Sequence, residues 1–246
     1  MKKNFLLLLS SLFLLCSCFV NFDSFGGNQI KPSDNIVQQT FTQSAFDRID
    51  LDVMAKIKFV QSTVGDYRVV LSAPDNYIDL FDLKVDDGLL KVRFNENKIS
   101  IDTENVKMLI YSPSLRSIKN SGIASLIADS LRSDVLKLDN SGVGSLVLKG
   151  LHLNSLNVDC SGVGNIDLEG ETGRAKMECS GVGNINAEQL QARSLYGNVS
   201  GVGGITCHAT DSLKAVVSGV GSLKYAGNPH HKQLNRSGIG GIQQLD

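Results

Sequence analysis

Residues 140–150, NSGVGSLVLKG, decide the fold because their Ser-Gly-aliphatic core recurs through the second half of the chain. The seven copies begin at Ser121, Ser141, Ser161, Ser180, Ser200, Ser218 and Ser237. They lie 20, 20, 19, 20, 18 and 19 residues apart, and such a constant period is typical of repeat proteins. A phosphate-binding glycine loop is needed once, and no copy continues into the third glycine and helix of a dinucleotide fingerprint. The motif therefore marks a corner of a repeating structural unit.

Aliphatic residues occupy fixed positions around each serine. They stand five and three residues before it, as Leu136 and Leu138 do, and five and seven residues after it, as Leu146 and Leu148 do. Another aliphatic residue comes two residues after each serine: Ile123, Val143, Val163, Val182, Val202, Val220 and Ile239. The alternation with polar residues indicates strands with one buried face. We expect all five columns to point inward.

Glycines near each serine predict tight corners. Their positions are Gly122, Gly142, Gly144, Gly162, Gly164, Gly181, Gly183, Gly201, Gly203, Gly219, Gly221, Gly238 and Gly240. Glycine is favoured where the backbone needs positive φ or a close approach, and at Gly162 we expect a positive φ. Glycine pairs at this spacing would break helices, so the repeat predicts an all-β solenoid with one coil per repeat. Successive coils would stack in parallel about 4.8 Å apart.

The residue just before each serine is also expected to point inward. Asn120 and Asn140 would form a short buried amide ladder. Cys160 and Cys179 follow in the same column and are either disulfide-bonded or two reduced, buried thiols. Parallel stacking favours the thiols because both Cβ atoms point the same way. Arg236 ends the column, as expected of a polar terminal coil.

The segment before the repeats lacks the motif but has the pattern of strands. Every second residue from Ile49 to Phe59 is apolar, and Asp87-Gly88 separates two further strand-like runs as a hairpin turn would. We expect residues 41–117 to form an antiparallel or irregular β section that caps the stack. Residues 118–246 would form the repeat coils, and residues 41–246 together a single domain.

The N-terminus has the features of an export signal. Lys2 and Lys3 precede a short apolar run, residues 5–15, which is too short to span a bilayer. The segment LCSC, residues 15–18, begins at the last residue of this run and resembles the lipobox of bacterial lipoproteins. It marks Cys18 as the lipidated first residue of the mature chain. Residues 1–17 would then be the signal peptide and residues 18–40 a flexible tether. A plain signal peptide cleaved nearby is the alternative.

Composition excludes several classes of function. The chain has 24 basic and 25 acidic residues, a formal net charge of −1, and no basic cluster with interleaved aromatic residues. Nucleic acid is therefore not an expected partner. The cysteines and histidines lack the spacing of a zinc site, and the glycine repeats lack the aspartate of calcium-binding solenoids. We expect neither a metal nor a cofactor.

A stacked acidic column is the best candidate for a ligand-binding or catalytic site. Asp139, Asp159 and Glu178 stand two residues before successive serines and would lie on neighbouring coils. Carboxylates about 5 Å apart occur in retaining glycosidases, and oxygen clusters of this kind also hold Ca²⁺. The alternative, which the convex strand face favours, is a row of solvated charges. Glu169 and Glu188 would form a second acidic ladder, with His208 beside it.

The phased repeats, the closing Tyr225-x-Gly227-x-Pro229 motif and the upstream FDRIDLDVMAKIKFVQS segment resemble the head GIN domain family of auto-transporter adhesins. The resemblance covers roughly residues 41–245. It implies a right-handed parallel β-helix, with coils of about 20 residues in this chain, and an exported protein at the cell surface or envelope. It carries over no catalytic residues.

Three functions are compatible with these features. The leading hypothesis is an outer-membrane lipoprotein, exposed on the cell surface or facing the periplasm. Its lipid would hold it in the membrane, and its solenoid would bind a surface protein or a glycan without catalysis. A carbohydrate-active enzyme, either a polysaccharide lyase or a hydrolase, is the second, because β-helices also host such activities. The third is a purely structural envelope protein.

Overall fold

The computed structural model describes residues 28–95 and 99–245, and within these ranges the fold is nearly all-β, with 70% of residues in strands. One helical turn, α1, spans Asp75–Ile78, and no helix in these ranges is long and apolar enough to cross a membrane. The N-terminal strands are β1 (Asn28–Ile30), β2 (Ile36–Thr42), β3 (Arg48–Asp52), β4 (Met54–Gln61), β5 (Arg68–Pro74), β6 (Phe81–Asp86), β7 (Leu89–Phe94), β8 (Ile99–Ile101) and β9 (Lys107–Ser112). The repeat strands are β10 (Ser117–Asn120), β11 (Ile123–Ala128), β12 (Leu131–Asn140), β13 (Val143–Cys160), β14 (Val163–Cys179), β15 (Val182–Val199), β16 (Gly204–Val217), β17 (Ser222–Ala226), β18 (His231–Arg236) and β19 (Ile242–Gln244).

The repeats form a β-solenoid of about six turns, as predicted. Each repeat strand pairs in parallel with the equivalent strand of the next coil, so that Leu136 pairs with Leu156 and Leu156 with Ala175. The segments that lead into the serine corners form the first sheet, and the segments that follow the corners form the second. A short third side, residues 151–153 in one coil, connects the second sheet back to the first.

Apolar side chains from all sides fill one continuous core. The columns five and three residues before the serine, and five and seven after it, are buried as predicted; Leu138, Leu146 and Leu148 have no exposed surface. Leu234, which is exposed, and Ile242, which is partly buried, differ because they belong to the last coil, on which no described residue stacks. The column just before the serine is buried until Arg236, which is exposed as expected.

The column two residues after each serine is predicted to point inward, but in the structure it lies on the outside. From Ile123 to Val220 its members are 48–59% exposed, and Ile239 is 87% exposed. The prediction is wrong because the alternation of side-chain direction, inward and outward, continues through the corner. Odd positions relative to the serine face the core and even positions face solvent. These seven residues therefore form an exposed aliphatic ladder.

The close approach of neighbouring coils, rather than positive φ, explains the first glycine of each corner. A Cβ on Gly162 would lie 2.1 Å from the carbonyl oxygen of Gly142 in the preceding coil. The positive φ expected at Gly162 is wrong, and its backbone N–H donates to the carbonyl oxygen of Asn140 at 2.9 Å. Gly144, the second glycine of its corner, does have a positive φ of 140°, and a Cβ there would lie 2.0 Å from the carbonyl oxygen of Ala124.

The column before the serine forms the predicted amide ladder. Asn120 donates from Nδ2 to Oδ1 of Asn140 at 2.9 Å, and Asn140 donates from Nδ2 to the carbonyl oxygen of Gly144 at 3.4 Å. Cys160 and Cys179 continue this column as free, buried thiols. The neighbouring Cys179 and burial both raise the pKa of the Cys160 thiol, so it stays protonated and serves as a packing group.

The N-terminal section caps the stack as predicted, but only part of it is antiparallel, because other strands of residues 41–117 extend the solenoid in parallel. β3 and β4 pair in parallel with β10 and β11, so that Ile49 aligns with Ile118 and Ile57 with Leu126. The alternate apolar residues from Ile49 to Phe59 are all buried, as predicted. β7 and β9 add a further parallel layer. β2, β5 and β6 then pair antiparallel and cover the end of the stack.

The structure also locates the predicted hairpin and two strands within or overlapping the predicted tether. β6 and β7 form the predicted hairpin, and Asp87 and Gly88 have the positive φ values of 46° and 70° that a tight two-residue turn requires. Part of the predicted tether, residues 18–40, belongs to strands, because β1 pairs with β8 and β2 with β5. The predicted signal peptide, residues 1–17, and residues 18–27, which include Cys18, lie outside the described residues.

Candidate functional site

A groove runs along the corner where the third side of each coil joins the first sheet. Its C-terminal part has a volume of about 900 Å³ and crosses five coils. Its walls are two outward columns, six and four residues before the serine, and buried residues such as Leu195 form the floor. The first wall contains Ser155, Arg174, Ser194, Ser212 and His231, and the second contains Asn157, Lys176, Tyr196, Lys214 and Gln233.

The groove continues toward the N-terminal end of the solenoid. A second cavity of about 720 Å³ lies along the same corner, lined by residues that include Arg48, Arg116 and Arg132. Val135 in this cavity pairs with Ser155 in the first one, so the two cavities adjoin at neighbouring coils. We call the two cavities together the axial groove.

The axial groove is rich in cations, although the formal net charge of the chain is −1. Among the described residues, one carboxylate, that of Asp134, lines it, against seven Lys and Arg residues: Arg48, Arg116, Arg132, Arg174, Lys176, Lys214 and Lys232. Arg48 and Arg116 pair with Asp47 at the groove edge, and Lys176 pairs with Glu178. The other four make no ion pair with any described residue. Cations concentrated in a concave surface raise the local positive potential.

An aromatic ring lies between two of the cations. Tyr196 pairs with Lys176 of the preceding coil and with Lys214 of the following coil. The Nζ atom of Lys214 is 5.8 Å from the centroid of the tyrosine ring, within the range of a cation–π interaction. On the opposite wall, the hydroxyl of Ser212 donates to the hydroxyl oxygen of Ser194 at 2.9 Å. The groove thus offers cations, one aromatic face and hydroxyl groups within three coils.

The predicted acidic ladder lies beside the axial groove rather than within it. Asp139, Asp159 and Glu178 are register partners on successive coils, as predicted, and all three are half-buried. Burial, followed by the charges of Asp139 and Glu178, raises the pKa of Asp159. Lys176 pairs with Glu178, with 2.7 Å between Nζ and Oε2. The carboxylates lie on an outward strand face, which cannot exclude water as a catalytic cleft does.

The second acidic group does not form the predicted ladder. Glu169 pairs with Gln189 rather than with Glu188, and His208 pairs with Gln191, because the register shifts between these coils. Glu169 and Glu188 line a separate cavity of about 340 Å³ outside the axial groove. Within residues 28–95 and 99–245, no cluster of three or more His, Cys, Asp or Glu residues could hold a metal ion.

Sequence reasoning misses the axial groove, although part of its signal is visible in the repeat. Lys137, Lys176 and Lys214 all stand four residues before a serine, an even position that faces solvent. Aligning the even positions would have revealed this basic column. The concave shape depends on the bend between two sides of the coil, which no residue pattern marks. The corner glycines, in contrast, lie where the repeat predicts them.

The fold and the groove define a class of protein: a β-solenoid with an open, cation-rich groove along its axis. The chain belongs to the family described as "Putative auto-transporter adhesin, head GIN domain", whose model matches residues 45–229. This match confirms the resemblance seen in the repeats. Membership in an adhesin-type family supports an adhesion-like role and an association with the envelope or cell surface, and the family description names no reaction.

Solved structures of similar proteins share the fold. A "putative adhesin" from Bacteroides fragilis is 34% identical, has a TM-score of 0.85, and the match covers 88% of this chain and 100% of that one. A "putative adhesin" from Parabacteroides merdae is 25% identical with a TM-score of 0.66, over 89% of this chain and 99% of that one. A "Putative lipid binding protein" from Parabacteroides distasonis is 22% identical with a TM-score of 0.72, over 89% and 100%, and shows the shared fold alone. No curated protein matches the chain.

Proposed function

We propose that the protein is a lipid-anchored adhesin of the outer membrane, with Cys18 as the lipidated residue. Its solenoid, displayed at the cell surface, binds a surface glycan or protein without catalysis. The family and the adhesin from Bacteroides fragilis support the adhesive role. The export signal and the lipobox-like LCSC segment support the anchor.

The observation that carries this proposal is the shape and lining of the axial groove. A rigid, open groove that crosses five coils suits an extended partner better than a small molecule, which proteins usually bind in an enclosed pocket. Its lining offers hydrogen-bonding groups at regular intervals, such as Ser155, Asn157 and Ser194. The paired carboxylates of a glycosidase are not among its lining residues, so the groove favours binding over hydrolysis.

Filling the groove tests this function, and two matched pairs of serines make the comparison possible. Ser194 and Ser212 lie on neighbouring coils within the groove, whereas Ser125 and Ser145 form a similar hydroxyl pair on the second sheet. We expect beads coated with the full chain to capture intact bacterial cells. The Ser194→Tyr/Ser212→Tyr variant should capture few, because two bulky rings obstruct the groove.

The Ser125→Tyr/Ser145→Tyr variant is the control and should capture cells as well as the wild type does. Equal capture by both variants would show that adhesion does not use the groove. Failure of the wild-type beads to capture any cells would contradict the adhesive role. New reducing ends or unsaturated products, formed when the protein is incubated with polysaccharides, would show catalysis and contradict the binding-only function.

A further inference from the structure

We propose that the axial groove binds an extended acidic polysaccharide that lies along the solenoid axis. This inference rests on the proposed function, because it names the class of ligand that the adhesive groove takes. The recognised chemistry is a row of carboxylate or sulfate groups on a sugar chain.

The distribution of charge is the first argument. Seven cations and one carboxylate line the groove in a chain whose basic and acidic residues nearly balance. Basic residues therefore outnumber acidic residues within this concave strip. Such a strip attracts a polyanion at several points along its length, whereas the charge of an isolated surface cation is screened by solvent and salt.

The acidic ladder limits where the polyanion lies. Asp139, Asp159 and Glu178 border the groove in the middle of the solenoid, where Lys176 offsets the charge of Glu178. In the next two coils the same column becomes neutral, with Asn198 and Val216. Positive charge is therefore least opposed toward the C-terminal coils. Toward this end the groove cations are Lys214 and Lys232. Arg174 lies in the coil of Glu178, on the wall farther from the acidic ladder.

One carboxylate approaches this end of the groove. Asp211 precedes the wall residue Ser212, but it faces two basic side chains: Arg193 at 4.0 Å and His230 at 3.6 Å. Arg174 and Lys214 themselves have no acidic partner among the described residues. They can therefore exchange water for an anionic ligand without breaking an existing ion pair.

The repeat of the groove is the second argument. Coils that stack about 4.8 Å apart place equivalent wall residues at intervals close to the length of one sugar in an extended pyranose chain. Each sugar would then meet an equivalent set of wall positions. Tyr196 provides one ring face for a sugar, and Ser194, Ser212 and Gln233 provide partners for its hydroxyl groups.

The same lining argues against the other common polyanion. Grooves for single-stranded nucleic acid combine positive charge with several aromatic side chains, because successive bases stack on them. Within the described part of the chain, Tyr196 is the one Phe, Tyr or Trp side chain that lines either cavity of the axial groove. A charged sugar chain, which needs hydroxyl partners and cations more than stacking platforms, is the better match.

The test measures binding of the full chain, purified in detergent, to four immobilised polymers at low and at physiological ionic strength. These are polygalacturonate, dextran sulfate, uncharged dextran and single-stranded DNA. We expect binding to at least one acidic polysaccharide, weaker binding as salt rises, and little binding to dextran. Polygalacturonate and dextran sulfate distinguish carboxylate from sulfate as the preferred group. Equal binding to dextran, or tighter binding to DNA than to both acidic polysaccharides, would overturn the proposal.

A pair of charge-matched variants localises the effect. Arg174→Gln/Lys214→Gln removes two groove cations without acidic partners and should weaken binding to the acidic polysaccharide about tenfold or more, since charge-assisted contacts are lost. Lys56→Gln/Lys224→Gln removes the same charge from exposed positions on the second sheet and should leave the affinity unchanged. Equal losses in both variants would show non-specific attraction and refute a groove site.

The outcomes also separate this inference from the proposed function. The purified chain could bind an acidic polysaccharide through the groove while the coated beads fail to capture cells. This result would contradict the adhesive role and support the class of ligand. Groove-dependent capture of cells without binding to either acidic polymer would support adhesion and contradict the proposed class of ligand.

Discussion

Replacing Gly162 by Ala should destabilise the solenoid by at least about 3 kcal/mol, because the added methyl group overpacks a backbone contact. The new Cβ would lie 2.1 Å from the carbonyl oxygen of Gly142 and 2.6 Å from the carbonyl carbon of Ser141. Both atoms belong to backbone that is held in the ladder, so they cannot turn away as a side chain can. Relief requires neighbouring coils to separate, and this breaks the corner hydrogen bonds.

Thermal unfolding followed by circular dichroism measures this effect. A loss of 3 kcal/mol corresponds to a melting temperature lower by roughly 6–12 °C for a domain of this size. Gly241→Ala is the matched control, because nothing lies within 4 Å of a Cβ there, and it should melt close to the wild type. Equal melting temperatures for Gly162→Ala and the wild type would show that the coils are not packed as closely as the structure indicates.

Leu146→Ala should cost about 2–5 kcal/mol, whereas Val143→Ala in the same coil should cost less than about 1 kcal/mol. Leu146 is fully buried, and its removal leaves a cavity in the continuous core. Val143 stands three residues earlier in the exposed aliphatic ladder, and 48% of its surface is already in contact with solvent. Truncating it removes little buried area and creates no cavity.

Urea unfolding of the two variants compares these costs directly. The midpoint should fall strongly for Leu146→Ala and only slightly for Val143→Ala, with similar slopes if both unfold in two states. A larger loss for Val143→Ala would contradict the outward assignment of this column. It would restore the simpler idea that every aliphatic residue of the repeat faces the core.

This column shows what can and cannot be predicted from the repeat. The serine spacing and the alternation of Leu136, Leu138, Leu146 and Leu148 suffice to predict the solenoid and most of its core. Hydrophobicity alone misleads at Val143, because apolar residues also occur on strand surfaces. Whether a position is odd or even relative to the serine is the better guide to burial, since side-chain direction alternates strictly along a strand.

The N-terminal section shows a different kind of limit. Its alternating apolar residues predict a strand correctly, but they do not specify its partner. Asp52 and Val53 replace the serine and glycine at this corner, so the coil has no motif. Its alignment with the first repeat depends on packing between Ile49 and Ile118 and between Ile57 and Leu126, which are far apart in sequence. Such long-range pairing is visible only in three dimensions.

The candidate site is less predictable than the fold for a similar reason. The stacked order of Asp139, Asp159 and Glu178 follows from the period, and the structure confirms it. The axial groove, in contrast, brings together residues such as Arg132, Arg174 and Lys232 from different positions in their repeats. A concave surface arises from the path of the backbone, and the charge of the whole chain does not reveal a local excess.

The proposed function requires that the folded domain is displayed on the cell surface, and protease treatment of intact cells measures this display. The amount of solenoid domain retained on washed cells would be measured before and after treatment, with a periplasmic protein as the marker of intact membranes and Cys18→Ala as the unanchored control. We expect protease to release the wild-type domain while the periplasmic marker survives, and we expect the Cys18→Ala chain not to be retained on cells at all. Protection of the wild-type domain in intact cells, with cleavage only after lysis, would place it inside the envelope and contradict its role as an adhesin.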